Sequence, residues 1–159
     1  MINDREFLHG AAFLKLIEYG HKISINHIPS IHQYMYLIDT DTTKAAIMFK
    51  VSKKPTSAWS FTLSPEESLA LRNVETAYPA YAVFLALVCH KDGICCISQK
   101  RLQFIIDTDT AVGSQHLSVA RKPHGNYHVS GGGRQKMDRT VPPSDWPRLI
   151  FNPSHDNYE

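Results

Sequence analysis

At 159 residues the chain is long enough for one domain with a proper core, and 43% hydrophobic with 20% charged residues is a globular rather than a disordered composition. Seventeen Lys and Arg against fifteen Asp and Glu leave a net charge of +2, too little for bulk charge to argue nucleic-acid binding, so any electrostatic case rests on local clusters. The longest apolar run, Tyr81 to Cys89, is strand-sized and too short to span a bilayer. The first residues lack the basic-then-apolar layout of a signal peptide, and three cysteines are an odd number. A cytoplasmic protein with reduced thiols and no membrane segment is the expectation.

The first predicted element is a helix. Asn3 caps it, Glu6 completes a capping box, Phe7, Ala11, Leu14 and Ile17 form an apolar stripe, and Gly20 is the stop. Strands are predicted over 22–26, with Ile23 and Ile25 on one face, and over 33–38. The run from Asp39 to Thr43 reads as a turn and 45–51 as the returning strand. Trp59, Phe61 and Leu63 alternate as in a half-buried strand. Ser64, Pro65 and Glu67 then start a helix that runs to about Ala77. The uncharged run 81–89 is the candidate central strand, and Asp92-Gly93 predicts a tight hairpin into 94–97. Ser98 caps a short helix with Leu102, Ile105 and Ile106 on its apolar side. Strands over 117–121 and 127–130 make a second hairpin around Pro123 to Asn126. The glycines 131–133 and the segment from Val141 through Trp146-Pro147 read as irregular.

This order implies an α/β fold, a single domain whose mixed central sheet is flanked by helices. The α/β domain is placed at 1–139 and an irregular Pro- and aromatic-bearing tail at 140–159.

The order helix, three strands, helix, strand resembles the αβββαβ core of the restriction-endonuclease-like, or PD-(D/E)xK, superfamily. Gly10-Ala11-Ala12-Phe13-Leu14 is similar to the opening helix of junction-resolvase and restriction-type members. Ile47 to Ser52 resembles the strand that carries the acid and lysine, and Trp59 to Glu67 the strand and capped helix that follow. The resemblance spans roughly residues 3 to 106. It implies one acid near the turn-proximal part of a strand and a second acid two residues before a lysine on the next. Together these carboxylates hold Mg²⁺ for water activation. Asp39 or Asp41 then stands for the first acid and Lys50 for the lysine, but the position two before Lys50 is Met48. With Lys53 as the lysine, that position is Val51. Glu66 or Glu67 is the remaining source of a displaced carboxylate. Against these roles stand plain ones: Glu67 in the capping box, Asp39 and Asp41 in a turn.

Lys50, Lys53 and Lys54 surround a Ser- and Thr-bearing loop suited to phosphates. Arg121, Lys122 and His124, then Arg134, Lys136 and Arg139, form further basic clusters, interleaved with Trp59, Tyr127 and Trp146. Lys50, Lys53, Lys54, Arg121, Lys122 and Arg134 are the candidate nucleic-acid contacts. A two-residue turn at Asp92-Gly93 would pair Cys89 with Cys96 and His90 with Cys95. That puts two ligands on each face, which is short of a zinc site. His9, His21, His27 and His32 lack a partner carboxylate at a useful spacing.

Three functions follow in order. The first is a nuclease-fold protein that has lost cleavage and serves as a nucleic-acid-binding or assembly subunit, with defence or mobile-element machinery as the natural setting. The second is an active nuclease using Asp39, Lys50 and Glu67, which alone calls for Mg²⁺; otherwise no cofactor is expected. The third is a protein-interaction module in which the tail docks on a partner or on the domain's own core.

Overall fold

The computed structural model describes residues 1–19, 22–107, 113–131 and 136–156. Helix α1 (Asp4–Glu18) opens the chain, followed by β1 (Ile23–His27), β2 (Met35–Thr40), β3 (Lys44–Ser52) and β4 (Trp59–Leu63). Next come α2 (Pro65–Ala77), β5 (Ala82–Cys89), β6 (Gly93–Ser98), α3 (Gln99–Leu102), β7 (Gln115–Ala120), β8 (His128–Gly131) and α4 (Asp145–Phe151). Both predicted capping boxes form: Asn3 accepts from the Glu6 amide and Ser64 from the Glu67 amide, and each glutamate reaches back to its cap residue's amide.

The central sheet has strand order β1-β2-β3-β5-β6. Only β3 and β5 are parallel, joined by the crossover through β4 and α2, as the mixed sheet of the sequence reading requires. β4 leaves this sheet and pairs with β7, which pairs with β8, giving a second, antiparallel sheet of three strands. Strand alternation gives the central sheet two apolar faces. Met35, Met48, Leu85 and Ile97 pack toward α2 and the small sheet. Ile38, Ile47, Phe49 and Phe84 pack toward α1 and α4.

Four expectations need correction. Strand β2 runs through Asp39 and Thr40, so the turn is confined to the residues between Thr40 and Lys44. The loop between β5 and β6 holds three residues, His90 to Asp92, with the Asp92 amide donating to the Cys89 carbonyl at 3.0 Å. Cys89 therefore pairs with Gly93 and Ala86 with Cys96, not Cys89 with Cys96. Cys89 and Cys95 face one core, Cys96 the other, and all three thiols are free, buried and pushed up in pKa by that burial.

The tail carries α4 rather than irregular chain alone, and its Trp146, Leu149, Ile150 and Phe151 are buried against the α1 face of the sheet. The Trp146 indole donates to the Ala12 carbonyl at 3.2 Å, so the tail docks on its own domain. Finally, α1 is turned the other way. Leu8, Ala12 and Leu16 are buried, while Phe7, Ala11, Leu14 and Ile17 are exposed. Two apolar stripes run along this helix, and the i, i+4 series 8, 12, 16 meets the sheet. Gly20 lies outside the described residues.

Candidate nucleic-acid interface

Strand β3 positions the lysine that the sequence singles out. Lys50 shares the inner face of Met48, two residues earlier, and emerges where the sheet gives way to the start of α2. There its ammonium donates to both Glu67 oxygens, at 2.8 and 2.6 Å. The pair is mostly covered, with side chains 17% and 13% exposed, and Glu67 Oε1 also accepts the Ser64 amide at 3.0 Å. Burial pushes the Glu67 carboxyl up, but the Lys50 and Ser64 hydrogen bonds outweigh it and hold its pKa below the usual range. Glu67 thus caps α2 and neutralises Lys50 at once, joining two of the three residues assigned to catalysis.

Asp39 does not join them. It pairs with Lys44 across β2 and β3, and Lys50 lies six residue steps further along β3. At about 3.3 Å per residue that is roughly 20 Å. Asp39 instead accepts from Lys44 Nζ at 2.8 Å and from the Tyr81 hydroxyl at 2.8 and 2.9 Å. The reason is the antiparallel register: the turn-proximal end of β2 meets the beginning of β3, whereas Lys50 stands near its end. The β2 residue level with Met48 is Met35, and both methionines are fully buried. Two thioethers in an apolar core offer nothing to a hard divalent cation, and the Glu67 carboxylate is already neutralised by Lys50. These residues do not fit a Mg²⁺ site, and no group of three or more His, Cys, Asp and Glu among the described residues is placed to hold a metal.

The basic residues do converge. Parallel pairing of β3 with β5 sets Ser52 beside Cys89, so the loops that follow both strands leave the sheet at the same end. The first loop carries Lys53 and Lys54; the second is His90-Lys91-Asp92. The turn after β7 arrives beside them, because the Arg121 amide donates to Ser57 Oγ at 3.0 Å and the Arg121 guanidinium pairs with Asp92 at 2.9 Å. The Tyr127 hydroxyl donates to the same Asp92 oxygen at 2.8 Å. Gly93 makes this approach possible, since a Cβ there would sit 2.6 Å from the Tyr127 oxygen.

Asp92, Arg121 and Tyr127 form a clasp, and Lys53, Lys54, Lys91 and Lys122 project around it, all exposed and without a carboxylate partner among the described residues. Lys54 donates to the Ala58 carbonyl at 2.6 Å, which steadies its loop. His90 and His124, one in each turn, hold positive φ angles of 51° and 62°. Arg121 is consequently a positioning residue with its charge already matched. Arg134 lies outside the described residues.

The sequence places Lys91 and His90 in the β5–β6 hairpin but gives neither a part in the basic cluster. The available signal was the charged turn at the end of a strand parallel to β3, since parallel strands deliver their following loops to one edge. The histidines form no site of their own. His9 packs against Phe49 and Tyr34, while burial, then the nearby Arg5, lowers its pKa to about 4. His27 contacts the Gln33 carbonyl at 2.7 Å, His32 accepts the Tyr34 amide at 3.1 Å, and His21 is outside the described residues.

No protein-family model and no curated protein matches the sequence. Among solved structures, the chain is similar to Hjc of Archaeoglobus fulgidus, a Holliday junction resolvase. The TM-score is 0.50 and the identity 14%, over 69% of this chain and 79% of that one. The chain has a restriction-endonuclease-like fold. The central sheet, the opening α1 and the β3–α2–β5 crossover are the parts of that core described above. At this identity the likeness carries the architecture and no activity. No helix among the described residues is long and apolar enough to cross a membrane.

Proposed function

We propose that this protein binds nucleic acid through the basic end of its sheet and does not cleave it. The observation that carries the reading is the gathering of Lys53, Lys54, Lys91 and Lys122 from three separate loops onto one end, around an internally neutralised clasp. Four exposed ammonium groups with one acid among them, itself paired, suit a run of phosphates. Loop lysines track a charged backbone rather than read base edges, so binding is weak and largely sequence-independent. The restriction-endonuclease-like fold and its Holliday-junction-resolvase neighbour agree with a nucleic-acid partner. The absence of cleavage is supported by Met35 and Met48 at the paired positions beside Lys50, by Asp39 on β2 opposite the far end of β3, and by the closed Lys50–Glu67 pair.

The test is fluorescence anisotropy with duplex, single-stranded and branched DNA, followed by incubation of the same substrates with Mg²⁺ and Mn²⁺. Binding that falls at least tenfold when Lys53, Lys54, Lys91 and Lys122 are all changed to Ala, with no product in the incubations, is expected. Unchanged affinity in that variant removes the interface. Cleavage that disappears in Lys50→Ala or Glu67→Ala overturns the non-cleaving reading.

A further inference from the structure

The outer face of α1 gathers most of the exposed large apolar side chains among the described residues. Six of the eight exposed large hydrophobic residues among the described ones lie in residues 1–19. Phe7, Leu14 and Ile17 are 63%, 53% and 57% exposed, although the same helix buries a full second stripe in the core. Phe7, Gly10, Leu14 and Ile17 follow one another at intervals of three, four and three residues, the spacing of a helix-packing seam. A side chain added at Gly10 would meet nothing within 4 Å, so the middle of the seam is an open notch. From Phe7 to Ile17 the seam is about 15 Å long, matching a partner helix of about three turns.

Charge selects the occupant. Exposed Asp4 and Glu18 border the seam on one side and exposed Glu6 on the other. The Arg5 guanidinium is over the Tyr34 ring at 4.8 Å, so exposed Lys15, at the outer margin of the Asp4 flank, is the one ammonium that α1 sets against these three carboxylates. A second copy packed antiparallel would set Asp4 against Glu18, and packed parallel would set the Asp4 side against Glu6. Acid meets acid in either orientation. An anionic membrane surface is disfavoured by the same carboxylates. We infer that α1 is the docking face for a basic amphipathic helix of a protein partner, with apolar side chains in the seam and Lys or Arg against Asp4, Glu6 and Glu18.

The probe is a synthetic three-heptad helical peptide with Leu at the seam positions and Lys at the flanking ones, compared with the same peptide carrying Glu at the flanks. The full chain is titrated against each, alongside the triple variant Phe7→Gln, Leu14→Gln, Ile17→Gln. Those three side chains are exposed, so the variant keeps its core, and its circular dichroism and melting curve verify this. Saturable binding of the Lys peptide is expected, at least tenfold weaker for the Glu peptide and at least tenfold weaker for the triple variant. Equal binding of the two peptides, unchanged binding by the triple variant, or no binding of the Lys peptide overturns the inference. So does concentration-dependent dimerisation in sedimentation that the triple variant abolishes, which would make the occupant a second copy. Binding to anionic vesicles that the triple variant abolishes would identify a membrane instead.

Discussion

Salt dependence tests the basic end most sharply, because the proposed contacts are a definite number of charges. Four exposed lysines neutralising four phosphates of a duplex give a slope of log K against log salt of about −3.6. Between roughly 50 and 200 mM salt that slope weakens binding about 150-fold, or about 3 kcal/mol. Lys91 is the informative single change, since only the parallel pairing of β3 with β5 brings it beside Lys53 and Lys54. Lys91→Ala should flatten the slope by about 0.9 units, so that the same change of salt costs only about 40-fold. Lys22 is the matched control: it is exposed, but it precedes β1 at the end of the sheet where Ile23 pairs with Thr40, opposite the basic loops. Lys22→Ala should leave the slope unaltered. Anisotropy titrations at five salt concentrations measure all three proteins. A wild-type slope shallower than about −1, or equal losses in Lys91→Ala and Lys22→Ala, refutes the argument.

Other changes act on stability. Glu67→Gln keeps a side chain able to cap α2 but strands Lys50, which is 17% exposed, and should cost about 1–3 kcal/mol in urea unfolding at pH 7. Because the folded-state pKa of Glu67 is depressed, its contribution is complete above the unfolded value near 4.5 and is lost as pH falls through the folded one; the variant should therefore converge on wild type in acid. His9 has the opposite charge type: with its folded pKa lowered from 6.5 to about 4, the unfolded chain takes the proton first. Stability should fall by up to roughly 3 kcal/mol between pH 6.5 and 4, and His9→Gln should flatten that window; an unchanged profile would show that burial does not perturb the ring. Met48→Glu places a carboxylate where Met48 is fully buried and should cost about 3–5 kcal/mol, with no recovery in Mg²⁺; a melting temperature restored by Mg²⁺ would reveal a metal site after all.

Much of the fold was legible because local chemistry and tertiary packing agree. Asn3 with Glu6, and Ser64 with Pro65 and Glu67, announce both long helices, and the alternation of Trp59, Phe61 and Leu63 marks β4 with its observed bounds. Where two answers satisfy the same local rule, the sequence cannot choose. Helix α1 has one apolar stripe through Phe7 and Leu14 and another through Leu8, Ala12 and Leu16, and only contact with the sheet decides which is inside. Asp92-Gly93 suits a two-residue turn, yet the close approach of the Tyr127 hydroxyl uses Gly93 as the first residue of β6 and lengthens the loop to three. Pro147 near the start of α4 disguised a short helix whose Trp146 and Phe151 are core residues. The candidate site divides in the same way. Lys50 and Glu67 came from motif positions on adjacent elements, whereas Lys91 depended on a long-range strand pairing that no local pattern encodes.

That division bears on how Lys50 should be understood. A lysine on β3 with a catalytic task would need its ammonium free to face a phosphate or a water. Here both Glu67 oxygens hold it, and Glu67 is itself anchored by the first turn of α2. Opening the pair would expose the α2 start and leave two charged groups partly covered, a change costing more than the pair is worth on a free surface. Met35 and Met48 complete the argument from the other side, because filling these paired positions with apolar volume stabilises the same region that carboxylates would have destabilised without a metal. Lys50 is thus part of the frame that ties β3 to α2. On the proposed reading, the lysines that meet an anionic ligand are those beyond the strand ends, where the parallel pair delivers its loops and no carboxylate among the described residues pairs with them.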